Sequence, residues 1–201
     1  MQKIKKIDLD KEEIVLGTNP KTNEKITDKI YGQYVKEKNK TTISEMIFHR
    51  LNGRYLRPFT YKDKIFIKKY KNGFSIMANC CLCIEVFQSF KNGWDKIPKG
   101  GDRVFDDFFN EYSGLNEFSG KKFYKHIRCG ILHQGETIGG WRIRRDGDLL
   151  NKKMINSVKF LEHLQYALEE YRKELESSGW NSTIWINCRK KIGFILKNCE
   201  Q

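Results

Sequence analysis

Arg128 and His133, the ends of the run Arg128-Cys129-Gly130-Ile131-Leu132-His133, are the residues whose types and spacing most directly suggest chemistry. A neutral imidazole takes up and releases protons in the neutral pH region. A guanidinium grips a phosphate through two parallel N–H bonds and stabilises charge that builds in a transition state. Together they are equipped to cleave the phosphodiester of RNA. On an ideal α-helix the pair lies roughly 140° apart, so the two side chains do not share one face. Gly130 and Gly135 could loosen the end of that helix, the pair could flank a groove, or one subunit could present it to another.

A polar loop punctuated by glycines follows, with Gln134 and Glu136 placed to contact a substrate or to steer His133. Beyond it Trp141, Arg142, Arg144 and Arg145 combine a stacking surface with positive charge, the pairing that single-stranded RNA binding uses. The plainer alternative is an exposed hairpin with Trp141 packed on the protein body. His126, Cys129 and His133 fall at i, i+3 and i+7 on one helical stripe and could hold zinc, with Cys188 or Cys199 as a fourth ligand. The paired short ligand motifs of a structural zinc site are absent, so no metal is assigned.

The elements that must position these residues are mostly helical. The chain has 201 residues, 31% charged and 13% aromatic, which suits a folded domain able to bury a core without disulfides. Residues 42–45 read as a capping box (Thr42, Glu45) that opens a short helix ending near Leu51. Residues 57–72 read as a basic hairpin, because Ile65, Phe66 and Ile67 are strand-like. Residues 74–90 are apolar nearly all round, as in a central buried helix, and residues 102–112 are amphipathic. Ser119 caps the helix that carries the Arg128–His133 run. A long helix is expected over 151–176, where Met154, Val158, Leu161, Leu164, Leu168, Tyr171 and Leu175 recur at three or four. Residues 183–186 and 192–196 look like two strands around a basic turn, and residues 21–40 like a surface helix. The expected fold is mainly α: a bundle of four to five helices with small β-hairpin additions.

The formal charge is +13, with 38 Lys and Arg against 25 Asp and Glu. Six basic residues against one acid occupy positions 57–71. Such clusters favour polyanions, and nucleic acid is the commonest one, although a Lys-rich surface can also serve only solubility. No signal peptide follows Met1, and the apolar stretch over 76–87 is too short and too interrupted to span a bilayer, so the expectation is a cytoplasmic protein with no membrane partner. Its six cysteines are then expected to be reduced.

The Arg128–His133 motif sits near a helix end, after a very apolar helix and before a long amphipathic one. In this it resembles the HEPN family, compact helical bundles of which many are metal-independent ribonucleases. The resemblance covers roughly residues 41–176, leaving 1–40 as an N-terminal arm with a surface helix and 177–201 as a C-terminal β-hairpin extension. It implies that Arg128 binds phosphate, that His133 acts as acid and base, and that Glu85 supports the site from an earlier helix. It further implies attack by the RNA 2′-hydroxyl without a cofactor, a site at a homodimer interface, and a role as a toxin or defence effector. RNA is then the expected partner, with a cognate antitoxin or another protein as a further candidate. The sequence departs from the family where Cys129 follows the arginine, a position often held by Asn, Asp or His. A non-catalytic module of the same fold, binding RNA or a protein, is the alternative. In that case Arg128 simply neutralises Glu85, and His133 favours the negative end of its helix.

Overall fold

The computed structural model describes residues 13–19, 22–60 and 64–199. The chain is mainly helical, and its most apolar segment forms the helix on which the others pack. Glycine in the left-handed region at Gly93, with φ 65°, ends this helix, α4 (Gly73–Asn92). It is longer than the sequence stretch suggests, and by length and composition alone it could cross a membrane. Instead 67% of its apolar window is buried inside the protein, as in the core helix of a globular fold.

Before it come β1 (Val15–Thr18) and β2 (Lys25–Thr27), an antiparallel pair, then α1 (Asp28–Lys36) and α2 (Lys40–Leu51). The surface helix expected over 21–40 is therefore part strand: Ile26 pairs with β1, and Thr27 caps α1. The Thr42–Glu45 capping box does not form. Asn39 is the cap, its side chain accepting from Thr42 N–H at 3.2 Å, so Thr42 lies inside the helix. Beyond Leu51 the helix widens into a π turn, Asn52–Leu56, followed by the 3-10 turn Arg57–Phe59. The basic hairpin expected over 57–72 is not present among the described residues. Residues Lys64–Lys69 form the short helix α3. The strand-like run over 65–67 lies inside that helix.

After α4 come α5 (Gly101–Glu111), a 3-10 turn, and α6 (Gly120–Phe123), capped by Ser119 as expected, with the hydroxyl accepting from Lys122 N–H at 3.4 Å. A second π turn, Tyr124–Arg128, runs into α7 (Cys129–Gln134). Strands β3 (Arg142–Arg144), β4 (Leu150–Asn151) and β5 (Met154–Asn156) form a small sheet in the order β3-β5-β4, parallel between β3 and β5. The long helix α8 (Ser157–Ser177) thus begins six residues later than its periodicity suggests. Asn156 accepts from Val158 and Lys159 N–H and sets the start.

The C-terminal β-hairpin is replaced by one helix, α9 (Thr183–Cys199). Its β-branched residues favour strands locally, but Trp185, Cys188 and Ile192 recur at three and four and are all buried. Burial of that stripe outweighs a propensity scale spanning only about 1 kcal/mol. Trp185 also donates its indole N–H to Leu175 O at 2.8 Å, fastening α9 to the end of α8. One hydrophobic core therefore runs from Leu16 to Ile192, including both segments expected outside the bundle. Within it Phe105, Phe109, Phe123 and Phe160 pack together, with Phe123 and Phe160 stacked at 5.3 Å. Each such ring stabilises the fold by roughly 1.5–3 kcal/mol, and together they fix α6, and with it the second π turn, against α5 and α8.

Candidate active site

Glu85 lies on α4, in its buried face, with 8% of its surface exposed. A carboxylate there is costly unless a charge and hydrogen bonds compensate it. Arg128 supplies both. Its Nε donates to Glu85 Oε1 at 2.9 Å and its Nη2 to Oε2 at 3.4 Å. Burial opposes the Arg128 charge, but the Glu85 contact outweighs it and holds the guanidinium above its ordinary pKa.

The third nitrogen of the same guanidinium reaches His133: Arg128 Nη1 lies 3.0 Å from His133 Nε2. Arginine has no acceptor atom, so Nε2 accepts. The separation of about 140° expected from ideal helical geometry does not keep the pair apart. Arg128 closes the π turn, in which Cys129 N–H bonds to Tyr124 O, and His133 leans back over the preceding turn as helical side chains do. Arg128 is long enough to span the remainder. One chain therefore assembles Glu85, Arg128 and His133 without a second subunit.

The glycines near the pair have roles other than loosening the helix. Gly130 is the point where the returning loop touches α7: a Cβ there would lie 2.5 Å from Glu136 O. Gly135, with φ 73°, caps α7 just after Gln134 and turns the chain back. Glu136 N–H then bonds Gly130 O at 3.3 Å and Ile138 N–H bonds His126 O at 3.0 Å, so the loop lies along the helix. His133, Gln134 and Glu136 are all exposed beside it.

Sequence reasoning missed Tyr124. Its ring lies under the Arg128 guanidinium at 5.6 Å, the i, i+4 spacing that brings an aromatic residue beside an arginine on a helix. Burial raises the Tyr124 phenol pKa, and the neighbouring Cys129 adds to that shift. Cys129 is thus a neighbour of the site. Cys80, Cys81, Cys83 and Cys188 are buried and behave as small hydrophobes.

His126, Cys129 and His133 do not form a ligand set. His133 is turned to Arg128, and His126 stacks nearly parallel on Trp141, 6.5 Å between ring centres. Among the described residues no group of three His, Cys, Asp or Glu side chains could hold a metal ion. The His126 Nδ1 atom is buried without a hydrogen-bond partner. Burial, then Lys125, Lys153 and Lys122, lower the pKa of His126.

Trp141 is half-buried on His126. Arg142 and Arg144 extend from β3 into solvent, whereas Arg145 donates to Tyr70 O at 2.7 Å and to Asn72 Oδ1 at 3.2 Å, tying the start of α4 to the sheet. Arg145 thus has a structural duty besides its charge. With Lys68 and Lys71, Arg144 and Arg145 line a cleft of about 720 Å3. Comparison with known protein families, with characterised proteins and with solved structures finds no match for this chain.

Proposed function

We propose that the chain is a metal-independent endoribonuclease of HEPN type. The single observation that carries this reading is the Glu85–Arg128–His133 relay, in which a buried carboxylate aims a guanidinium and the guanidinium meets an exposed imidazole. As the phosphate draws Arg128 Nη1 away from it, His133 Nε2 is freed to remove the proton of an RNA 2′-hydroxyl. The 2′-oxygen forms a bond to phosphorus as the bond to the 5′-oxygen breaks, and water gives that oxygen a proton while His133 keeps the one removed until it returns it to solvent. The products are a 2′,3′-cyclic phosphate and a 5′-hydroxyl. Arg128 holds the phosphate and stabilises its developing charge. Glu85 keeps Arg128 in place. Gln134 and Glu136 border the scissile position, and Trp141, Arg142 and Arg144 carry the flanking strand toward the Lys68–Arg144 cleft, with Arg145 fixing that cleft's wall.

The proposal includes a homodimer, on the resemblance alone, since one chain already joins Arg128 to His133. A role as a toxin or defence effector, held in check by a cognate partner, rests on the same resemblance. One observation favours a non-catalytic module that binds RNA or protein: Nε, Nη1 and Nη2 of Arg128 are all engaged within the chain.

Incubation of the purified protein with mixed RNA in EDTA separates the two. The expected result is cleavage that chelation leaves intact and that His133→Ala reduces by roughly 10²–10⁴-fold while the circular dichroism spectrum is preserved. Equal cleavage by wild type and His133→Ala would remove the catalytic assignment and leave the binding module.

A further inference from the structure

A second basic concavity lies away from Glu85, Arg128 and His133. The π turn Asn52–Leu56, the end of α2 and strand β1 enclose a cleft of about 650 Å3. Arg50, Arg54 and Arg57 line it together with His49, and among the described residues that line it none is acidic. None of the three arginines forms an ion pair among the described residues. Arg50 is half-buried and donates from Nη1 to Leu16 O, one of the five N–H groups a guanidinium offers. Burial and the nearby Arg54 charge push its pKa down to about 10. Arg54 and Arg57 are exposed at the rim.

Three like charges gathered in one concavity repel one another, and an anion placed between them relieves that repulsion. Guanidinium groups match phosphate oxygens in pairs. The volume falls within the roughly 300–1,000 Å3 of small-molecule sites. The cleft shares no lining residue with the basic cleft of Lys68, Lys71, Arg144 and Arg145. We infer that the Arg50–Arg54–Arg57 cleft binds a small molecule carrying two or more phosphoryl groups, such as a nucleoside diphosphate. Two phosphoryl groups bring about three negative charges, which match the three arginines. Val15, exposed on β1 at the edge of the cleft, offers an apolar surface to the rest of the molecule. This site is independent of the ribonuclease reading.

Calorimetric titration of the full chain with sodium pyrophosphate, ADP and adenosine tests the inference. Pyrophosphate and ADP are expected to bind and adenosine is not. Arg54→Ala and Arg57→Ala should each weaken binding on the order of tenfold or more, the weight of a charge-assisted hydrogen bond. Because both side chains are exposed, the thermal unfolding curves should be unchanged. Arg142→Ala with Arg144→Ala should leave the affinity as in wild type. The inference is overturned if neither phosphate compound binds at millimolar concentration, or if the Arg54/Arg57 double variant binds as tightly as wild type. It is equally overturned if the double variant loses affinity only for a single-stranded RNA oligonucleotide, which would make the cleft a track for RNA.

Discussion

Two wide helical turns, Asn52–Leu56 and Tyr124–Arg128, handle arginine in opposite ways. The second delivers Arg128 onto the buried carboxylate of Glu85, with a tyrosine ring beneath it and a histidine at its far side. The first leaves Arg50, Arg54 and Arg57 around a cleft that, among the described residues, no acid lines. A π turn tends to occur where function needs an irregular backbone, but its companions decide the use. A neutralised arginine is a fixed directional donor. Arginines that form no ion pair among the described residues set up a positive field.

The largest difference should appear in stability. Removing one partner of a buried ion pair strands the other, at a cost of about 3–5 kcal/mol. Arg128→Ala, which strands the buried Glu85 carboxylate, should therefore lower unfolding free energy by that order in urea titration. Arg54→Ala, at an exposed position, should stay within about 0.5 kcal/mol of wild type. If the two variants unfold at the same urea concentration, Arg128 is no more committed to the fold than Arg54, and the contrast dissolves.

A smaller effect sharpens the comparison through the histidine beside each turn. His126 and His49 both have lowered pKa values, chiefly through burial. A base whose folded pKa is depressed binds fewer protons when folded than when unfolded. Its contribution is full above the unfolded value near 6.5 and is lost as pH falls below that toward the folded pKa. Around His126 the acting charges are all cations, Lys125, Lys153 and Lys122, whereas Glu45 and Glu169 oppose Arg57 and Arg172 around His49. The melting temperature should thus fall between pH 7 and pH 5.5, and His126→Gln and His49→Gln should each flatten that fall. A fall that neither variant changes would contradict this.

The parts of the molecule that were legible in sequence are those where a long apolar pattern decides the structure. α4, α5 and most of α8 follow from their patterning, and Ser119 caps its helix as its position suggests. Where short signals compete, tertiary burial wins. Thr183 and the isoleucines of α9 favour strand, yet the Trp185–Cys188–Ile192 stripe draws them into a helix. Asn39 displaces Thr42 as a cap by sitting one turn earlier. In the candidate site Arg128, His133 and Glu85 were identifiable by type, but their contact was not. Ideal helical angles separate Arg128 from His133, and only the local π geometry and the reach of the arginine bring them together. Tyr124 stands at i, i+4 to Arg128, a signal the sequence carried, whereas the cleft around Arg50, Arg54 and Arg57 depends on β1 packing beside the end of α2.

In the proposed reaction His133 and Arg128 direct an RNA 2′-hydroxyl onto the adjacent phosphodiester. The most direct measurement is mass spectrometry of the ends left when a defined single-stranded RNA is incubated with the protein in EDTA. The expected fragments end in 2′,3′-cyclic phosphate and begin with 5′-hydroxyl, are absent with His133→Ala, and show no cut where the 2′-hydroxyl is replaced by hydrogen. Fragments ending in 3′-hydroxyl, cutting that persists at the 2′-deoxy position, or RNA left intact by the wild-type protein would contradict it.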